Sequence, residues 1–413
     1  MPVDQHSYGF DGTISRPVLE RYLSRSVSMA GLCQSPQRDE DLRMLHHIGA
    51  KYVGRVAYIW AQHEAEDDEA HFDAAAQTVA DYQRFDGDAI FQAAIFEAVH
   101  ERFVSNITVP AWVFEEFDQP AQQRCFDYDA MLYDRGRDYG EPAAWRPHGG
   151  NDWFHGRWRP PAAYHWMRGR PADAGSVPDM SKLETRMWFF YRARRYIDAG
   201  YQALHLGQVH LMDHGDPGWR HWWELLTRIR RYGREHARRH MVLLDAHTHG
   251  AAMDDGRLLF DLHSFPLYIK DVGDHPERTE LAIGFKDAIF GKSLGGITPS
   301  GWSCDALPYI VEFDNYGSSG RPGQHFDEGN WVWGCDEITW FARQPEDYRN
   351  DYLRYAHHRV RQLDPHGHLQ MPGQRGLYEP AEGVKHYFAN TRSPASPTGF
   401  NQEETIRRVW AEH

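Results

Sequence analysis

The sequence is poor in lysine and has no long apolar run. Lysine occurs six times against 39 arginines, and the excess of acidic residues gives a formal net charge of −14. Nucleic acids and anionic membrane surfaces bind clustered cations, so this charge balance argues against either as a partner. No apolar run reaches the length of a membrane span, and the first residues lack a basic segment followed by an apolar one. These absences predict a soluble, cytoplasmic protein.

Several common functional signatures are also absent. No cysteine pair has the Cys-x-x-Cys spacing that holds zinc or carries out redox chemistry, so we expect reduced thiols. The chain contains no His-Glu-x-x-His and no Gly-x-Gly-x-x-Gly after a predicted strand. Metalloproteases and dinucleotide-binding enzymes of the usual types are therefore disfavoured. The four cysteines are Cys33, Cys125, Cys304 and Cys335.

Aromatic residues are abundant, and many of them lie outside the predicted helices and strands. They make up 14% of the chain, with 15 tryptophans. Residues 118–181 show no helical or strand periodicity, yet they contain four tryptophans, one of which is Trp153. A loop of this length usually covers a functional site. We therefore predict a surface lined with aromatic rings for ligand binding, to which Trp302 in a second glycine-rich loop could also contribute.

The rest of the chain alternates between predicted strands and helices. Such alternation is typical of a parallel sheet, and we predict a closed (β/α)8 TIM barrel, with an open doubly wound sheet as the alternative. Residues 1–371 form the barrel with its insertion at 118–181, and residues 372–413 are expected to form a surface arm. There are nine candidate strands for eight places, so either 26–32 or 367–371 should lie outside the barrel. The candidate strands are 26–32, 52–60, 89–99, 109–117, 201–212, 241–250, 258–268, 308–314 and 367–371.

Many of these strands begin with apolar residues and end with acids, histidine or glutamine. In the segment 308–314, strand alternation places Ile310, Glu312 and Asp314 on one face and Val311 and Phe313 on the other. Polar strand ends converge at the carboxyl rim of a barrel, where such enzymes have their active sites. The polar groups at the strand ends are Glu97, Glu115, Glu116, His205, Gln208, His210, Asp245, His247, Asp261, His263, Glu312 and Asp314.

A rim rich in carboxyl groups suits the hydrolysis of glycosides. This reaction needs one protonated carboxyl group and one ionised carboxylate, while tryptophan and tyrosine rings stack on sugar faces. The segments 113–116 (VFEE) and 311–313 (VEF) resemble the strand-end glutamates of a large clan of (β/α)8 glycoside hydrolases. That clan carries its acid/base and its nucleophile on strands four and seven. Here Glu116 and Glu312 fall on strands four and eight, or three and seven, depending on the strand count.

The resemblance implies a carbohydrate substrate, no cofactor, and Glu312 and Glu116 as the leading catalytic pair. Asp245, Asp261 and Asp314 are alternative carboxylates. Retaining and inverting chemistry both remain open. The side chains expected to bind substrate are Glu97, Glu115, His205, Gln208, His210, His247, His263, Asp314, Trp153 and Trp302.

A metal-dependent hydrolase or isomerase is the main alternative. The segment 245–249 (DAHTH) resembles the Asp-x-His-x-His strand of amidohydrolases, which implies a divalent metal at His247 and His249. That family opens its barrel with this motif, whereas here the motif occurs in the second half of the chain. A sugar-binding barrel without catalytic activity is the third possibility.

Overall fold

Within the part of the chain that the structure describes, eight parallel strands form one closed barrel. Hydrogen-bonded neighbours follow chain order from β1 to β5 and from β6 to β8, and β8 pairs with β1, always in parallel. The computed structural model describes residues 8–59, 68–134, 137, 176–267, 269–272, 275–281, 293–315 and 336–412. The barrel strands are β1 (Ser26–Met29), β2 (Tyr52–Tyr58), β3 (Ile90–Ala94), β4 (Ala203–His205), β5 (Leu243–Asp245), β6 (His263–Pro266), β7 (Tyr309–Glu312) and β8 (Gly367–Ala381).

Backbone hydrogen bonds join β5 to β6 and complete the ring. The amide of Asp261 donates to the carbonyl of Leu244 at 2.9 Å, and the amide of Ser264 donates to the carbonyl of Ala246 at 3.1 Å. A parallel bridge between His247 and Ser264 continues this contact toward the carboxyl ends. The predicted (β/α)8 barrel is therefore confirmed by the strand order and direction themselves.

The strand count needs one correction, because the additional candidate strand is a helix. Both of the segments suspected of lying outside, 26–32 and 367–371, contribute barrel strands. Residues 109–117 contain instead the short helix Ala111–Glu116, which follows Pro110. Pro110 has the extended backbone of a helix N-cap, and Val113 and Phe114 are buried on one side of the helix. An apolar run of this length cannot be assigned to a strand or a helix by its periodicity alone.

Helices surround most of the barrel, and the apolar face of each long helix packs inward. In the helix at 220–236, the buried residues Trp222, Leu225, Leu226 and Ile229 recur at helical spacing, as predicted. Residues 246–262, between β5 and β6, contain no helix. None of the described helices is both long and apolar enough to cross a bilayer. The helices are α1 (Arg16–Leu23), α2 (Arg38–Ile48), α3 (Asp68–Gln83), α4 (Glu101–Val104), α5 (Ala111–Glu116), α6 (Leu183–Asp198), α7 (Val209–Met212), α8 (Arg220–His236), α9 (Glu337–Ala342), α10 (Glu346–Leu363) and α11 (Glu403–Ala411).

The amino-terminal half of the barrel interior is apolar and is closed by α1. Tyr52, Ile90 and Leu243 begin their strands with side chains that point inward, and they share one buried cluster with Ile310. The apolar face of α1 packs against this cluster and fills the amino-terminal end. A ligand that enters the barrel interior must therefore do so at the carboxyl end, where (β/α)8 enzymes have their active sites.

The carboxyl-terminal residues are part of the folded core rather than a surface arm. Strand β8 continues past Pro372 to Ala381 and pairs with the antiparallel strand Val384–Phe388. Tyr387, Phe400 and Trp410 are all buried in the main apolar cluster. The proline and the polar composition suggested an exposed tail, but the aromatic residues anchor this segment against α2 and α10. The predicted surface arm at 372–413 is therefore wrong.

Candidate active site

The carboxyl half of the barrel interior is lined with charged and polar side chains. On β7, Ile310 belongs to the inner apolar cluster, whereas Val311 and Phe313 belong to the cluster between barrel and helices. The alternation predicted from the sequence is thereby confirmed. It places Glu312 and Asp314 inside the barrel, above the apolar plug, and both are almost fully buried.

A β-bulge turns Arg55 of β2 into the barrel. The pairing of β2 with β3 shifts register between Val53 and Ala57, and Arg55 has a φ of 57°. A non-glycine residue at positive φ costs on the order of 1–3 kcal/mol and persists only where its surroundings hold it. Strict alternation would direct Arg55 outward together with Val53, whereas the bulge re-aims its side chain into the interior.

Two arginines enclose the two carboxylates of β7. Arg55 donates through Nη2 to Oε1 of Glu312, and its Nη1 lies 3.7 Å from Oδ1 of Asp314. Arg375, from the long strand β8, donates through Nη1 to Oε2 of Glu312 at 3.1 Å and through Nη2 to Oδ1 of Asp314. The four side chains form a buried cluster whose two positive charges balance two negative charges.

The two arginines keep both carboxylates ionised. Burial alone would raise the pKa of Glu312, but the charges of Arg55 and Arg375 and a hydrogen bond with His247 lower it to about 2. For Asp314 as well, burial is opposed by the same two arginines, and its pKa falls below the usual range. Both groups therefore carry negative charge at neutral pH.

His247 occupies the space between Arg55 and Glu312. Its Nε2 lies 2.9 Å from Nη2 of Arg55 and 3.0 Å from Oε1 of Glu312. A ring nitrogen without a proton accepts a hydrogen bond from Arg55, whereas a protonated one donates to Glu312. The protonation of His247 thus determines which of its two neighbours it stabilises.

Asp245 is a further carboxyl group of this interior, and its pKa is shifted upward rather than downward. It ends β5, has no exposed surface, accepts a hydrogen bond from Nε2 of Gln92 at 2.5 Å, and lies with Oδ2 2.8 Å from Nδ1 of His205. Burial raises the pKa of Asp245 to about 7, and the hydrogen bonds and nearby cations only partly offset this increase. Asp245 therefore holds a proton under conditions in which Glu312 has none.

Two histidines connect these two carboxyl groups. The rings of His205 and His247 are 4.8 Å apart between centroids and meet at 69°. His205 contacts Asp245, and His247 contacts Glu312, so one continuous set of side chains extends from β5 to β7. Phe96 packs edge-on to His205 at 5.7 Å and closes one side of this set.

Glu97 follows β3, and its carboxylate packs against Gly207, where a larger residue would not fit. Its carboxylate accepts from the amide of Gln208 at 2.9 Å, and burial raises the pKa of Glu97. A Cβ atom on Gly207 would lie 1.9 Å from Oε2 of Glu97, and Gly207 has a φ of 65°. The turn after β4 thus holds Glu97 at the barrel mouth.

Gly207→Ala is expected to lower the free energy of unfolding by more than the cost of a positive φ at a non-glycine residue. The positive φ alone costs on the order of 1–3 kcal/mol, and the new methyl group must also displace Glu97. Gly256 has a φ of 81°, and a Cβ atom added there would meet nothing within 4 Å, so Gly256→Ala measures the backbone cost alone. Urea unfolding should show a larger loss for Gly207→Ala, and equal losses would contradict the close contact.

The structure brings together most of the polar strand ends predicted from the sequence. They come from β3, β4, β5 and β7 and the turns that follow them, as convergence at the carboxyl rim requires. The predicted residues in or adjoining this interior are Glu97, His205, Gln208, Asp245, His247, Glu312 and Asp314.

Glu116 does not belong to this group. It ends α5, and its carboxylate is held by Arg228 and Arg231 of α8, in the helical layer. Glu115 beside it is exposed. The expected pairing of Glu116 with Glu312 required two strand ends in one cleft. Because residues 109–117 form a helix outside the barrel, the structure does not provide that cleft.

Two further candidates face away from the barrel interior. The carboxylate of Asp261 accepts from the amide of Leu244 at 3.0 Å and from Arg230 of α8 at 3.1 Å, on the helical side. His263 contacts Ser293 Oγ at 2.9 Å. Its position on β6 alternates with that of Ser264, whose side chain meets His205 inside. Neither Asp261 nor His263 is therefore placed to contact a substrate bound in the barrel.

The remaining candidates are spread over three locations. His210 lies on α7 at the carboxyl end, with Nε2 2.7 Å from Thr248 Oγ1. Trp302 lies at the opposite end, where its Nε1 donates to the carbonyl of Ile14 beside the apolar plug at 3.0 Å. Trp302 is therefore far from the polar interior in the barrel. Trp153 lies outside the described residues.

Sequence reasoning missed both arginines and Gln92. A charged residue in the middle of the apolar run 52–58 was a signal for Arg55, because a buried strand rarely carries an unpaired charge. Arg375 lay in the segment interpreted as a surface arm. Gln92 had a comparable signal, a lone amide between the apolar residues of β3.

Three side chains of the interior could in principle hold a metal ion. One ligand atom each from His247, Glu312 and Asp314 lies within 4.8 Å of the others. His249 is not part of this group, and its ring packs beside Phe265 at 5.8 Å. Arg55 already contacts all three groups, so a cation would have to compete with a guanidinium for the same oxygens.

Comparisons with known proteins do not assign the chain to a family. No family model matches it, and no curated protein matches it. Solved structures that resemble it include the following three. They are the acarbose-soaked debranching enzyme of Nostoc punctiforme (11% identity, TM-score 0.35), a Salmonella typhimurium protein provisionally named alpha amylase (12%, 0.43), and the native form of the Nostoc enzyme (9%, 0.29).

These likenesses differ in extent. They cover 62%, 99% and 59% of this chain, and 55%, 71% and 50% of the respective neighbours. The chain thus spans little more than half the length of the Nostoc enzyme. At these TM-scores and identities the likeness carries no argument about function, which has to be argued from the barrel interior itself.

Proposed function

We propose that the protein is a glycoside hydrolase whose reaction takes place at the carboxyl end of the barrel. One observation carries this proposal. Asp245 and Glu312 belong to one connected set of buried side chains, yet their surroundings drive their pKa values apart, to about 7 and about 2. Titratable groups separated in this way identify the proton donor and the anion of an acid/base mechanism.

In this proposal Glu312 is the ionised group, which attacks the anomeric carbon or activates a water molecule. Arg55 and Arg375 hold both of its oxygens and fix its direction. Asp314 contributes a second negative charge near the developing oxocarbenium ion, which such a charge stabilises. The protonated group on the other side is Asp245, which supplies the proton that the leaving oxygen requires.

The mouth of the barrel has groups suited to binding sugar hydroxyls. His247 and Gln208 offer polar atoms next to the ionised cluster, and Glu97 lies between them and β3. The insertion at 118–181 lies between β3 and β4, and a bridge between Leu132 and Pro178 joins its described ends. Loops in this position commonly form the substrate-facing surface of a barrel enzyme.

The sharpest first test is a screen of oligosaccharides and aryl glycosides with and without a chelator. We expect hydrolysis of at least one glycoside class and no effect of the chelator, because arginines already neutralise the carboxylates that would bind a cation. Elemental analysis of wild type and His247→Ala provides the control. Failure to hydrolyse any glycoside would contradict the proposal, and a stoichiometric metal lost in His247→Ala would support the metal-dependent alternative.

A further inference from the structure

In the barrel interior, Nε2 of His205, like Nε of Arg375, has no hydrogen-bond partner among the described residues. His205 has 1% of its surface exposed. The other ring nitrogen, Nδ1, lies 2.8 Å from Oδ2 of Asp245 and 3.3 Å from Oγ of Ser264. A buried polar atom without a partner is costly, so its persistence calls for a function.

Asp245 cannot deliver a proton to a substrate directly. Both of its oxygens already have partners, because Oδ1 receives a hydrogen bond from the amide nitrogen of Gln92 and Oδ2 lies 2.8 Å from Nδ1 of His205. The orientation of that amide is fixed, because its oxygen accepts from the backbone amide of Arg55 at 3.1 Å and its nitrogen also donates to Tyr52 at 2.9 Å. Oδ1 is therefore an acceptor, and a proton on Asp245 must sit on Oδ2, facing His205.

We propose that His205 is the residue that donates the proton to the leaving oxygen, and that Asp245 acts through it as a positioning and proton-supplying residue. This inference rests on the proposed glycosidase function and changes its assignment of the acid. The unpartnered Nε2 is the atom that meets the substrate. Its ring lies edge-on to His247, whose own Nε2 contacts Glu312, so a single imidazole ring connects the proton donor to the carboxylate.

The proposed step is a tautomer exchange that leaves the imidazole neutral. As the glycosidic bond breaks, the leaving oxygen takes the proton from Nε2 of His205, and Nδ1 takes the proton from Oδ2 of Asp245. Asp245 becomes a carboxylate, while Glu312 bonds to the anomeric carbon or removes a proton from the attacking water. Burial and the nearby cations lower the pKa of His205 well below its usual value, so a route without an imidazolium is favoured.

Substrates with different leaving groups test the assignment. A dinitrophenolate is a good leaving group and departs without being protonated. A simple alkoxide is a poor leaving group, so its oxygen must receive a proton as the bond breaks. For alkyl glycosides, His205→Gln and Asp245→Asn should each lower kcat/KM by about 10²- to 10⁴-fold, the contribution of a general acid. For the dinitrophenyl glycoside of the same sugar the loss should be far smaller. Equal losses on both substrates would overturn the proposal.

His71→Gln is the matched control for the removal of a buried imidazole. His71 is buried between α3 and α6, where it contacts Tyr196 and lies outside the barrel interior. Its replacement is expected to leave the ratio of the two kcat/KM values at that of wild type. A changed ratio would show that the leaving-group effect does not depend on His205, and it would overturn the assignment.

A spectroscopic measurement separates failure of this inference from failure of the proposed function. In ¹⁵N-histidine spectra at about pH 9, above the pKa of Asp245, wild-type His205 should carry its proton on Nδ1. In Asp245→Asn the new amide group faces Nδ1 as a donor, so the proton should move to Nε2. The same tautomer in both proteins would refute the relay, even if glycosides are hydrolysed. The expected exchange in a protein inactive on glycosides would refute only the reaction.

Discussion

Replacement of Glu312 by glutamine is expected to lower kcat/KM by about 10³-fold or more on any glycoside that the wild-type protein hydrolyses. Glutamine has nearly the same shape, but its single amide oxygen can take the place of only one of the two oxygens that accept from Arg55 and Arg375. It cannot supply the negative charge that attacks the anomeric carbon or removes a proton from water. The loss corresponds to about 4 kcal/mol in transition-state stabilisation. The measurement is kcat/KM for the purified variant, with thermal unfolding to verify the fold.

Glu184→Gln is the matched control for this change. Glu184 is also a buried glutamate, and Arg124 holds both of its oxygens at 2.6 and 2.8 Å, but it lies on α6 in the helical layer. The control variant should lose stability without losing catalytic rate. If Glu312→Gln and Glu184→Gln kept equal activity, the role of Glu312 would be excluded.

The second large effect concerns stability, and Arg375→Met is the change that should reveal it. Removing one partner of a buried ion pair leaves the other charge uncompensated, which typically costs about 3–5 kcal/mol. Arg375 is 3% exposed and contacts both Glu312 and Asp314, so its loss leaves two buried carboxylates with Arg55 alone. Urea unfolding at neutral pH should therefore show a loss of about 3–5 kcal/mol.

Two further variants separate charge compensation from packing. Arg375→Met combined with Asp314→Asn removes one charge of each sign and should recover part of the lost stability. Arg124→Met breaks the pair with Glu184, in which the arginine side chain is about one-third exposed, and should cost less than Arg375→Met, because only one carboxylate loses its partner and water can reach that pair. If the double variant were no more stable than Arg375→Met, charge compensation would not be the cause.

Lowering the pH should reduce the effect of Arg375. The folded-state pKa values of Glu312 and Asp314 are depressed, so their stabilisation is present above the unfolded values near 4. It is lost as the pH falls through the folded values, and for Glu312 that value is about 2. The difference between wild type and Arg375→Met should therefore shrink as the pH falls from 4 toward 2.

The sequence was most informative where local periodicity and tertiary structure agree. The helix at 220–236 and the inward face of β7 follow directly from apolar spacing, because each buries one side against a neighbouring layer. The same reasoning failed for residues 109–117. Their apolar run is too short to show a period, and Pro110 at a helix N-cap was the only local signal.

The site was predictable only in part, because its cations depend on non-local structure. Arg55 enters the barrel through a bulge, which periodicity cannot show. Arg375 reaches Glu312 across 63 positions of the chain from a strand that continues through Pro372. The acids and histidines at the ends of β4, β5 and β7 lie together, as the convergence of strand ends predicts. The arginines that fix their protonation became visible only with the barrel in place.

The most direct measurement of the central claim compares Glu312→Gln with Glu116→Gln on one glycoside substrate. Both were candidates from the sequence, but only Glu312 lies in the barrel interior with Asp245 and His205. If the reaction takes place in the barrel interior, kcat/KM should fall by about 10³-fold for Glu312→Gln and stay near the wild-type value for Glu116→Gln. Full activity of Glu312→Gln, or an equal collapse in both variants, would contradict it.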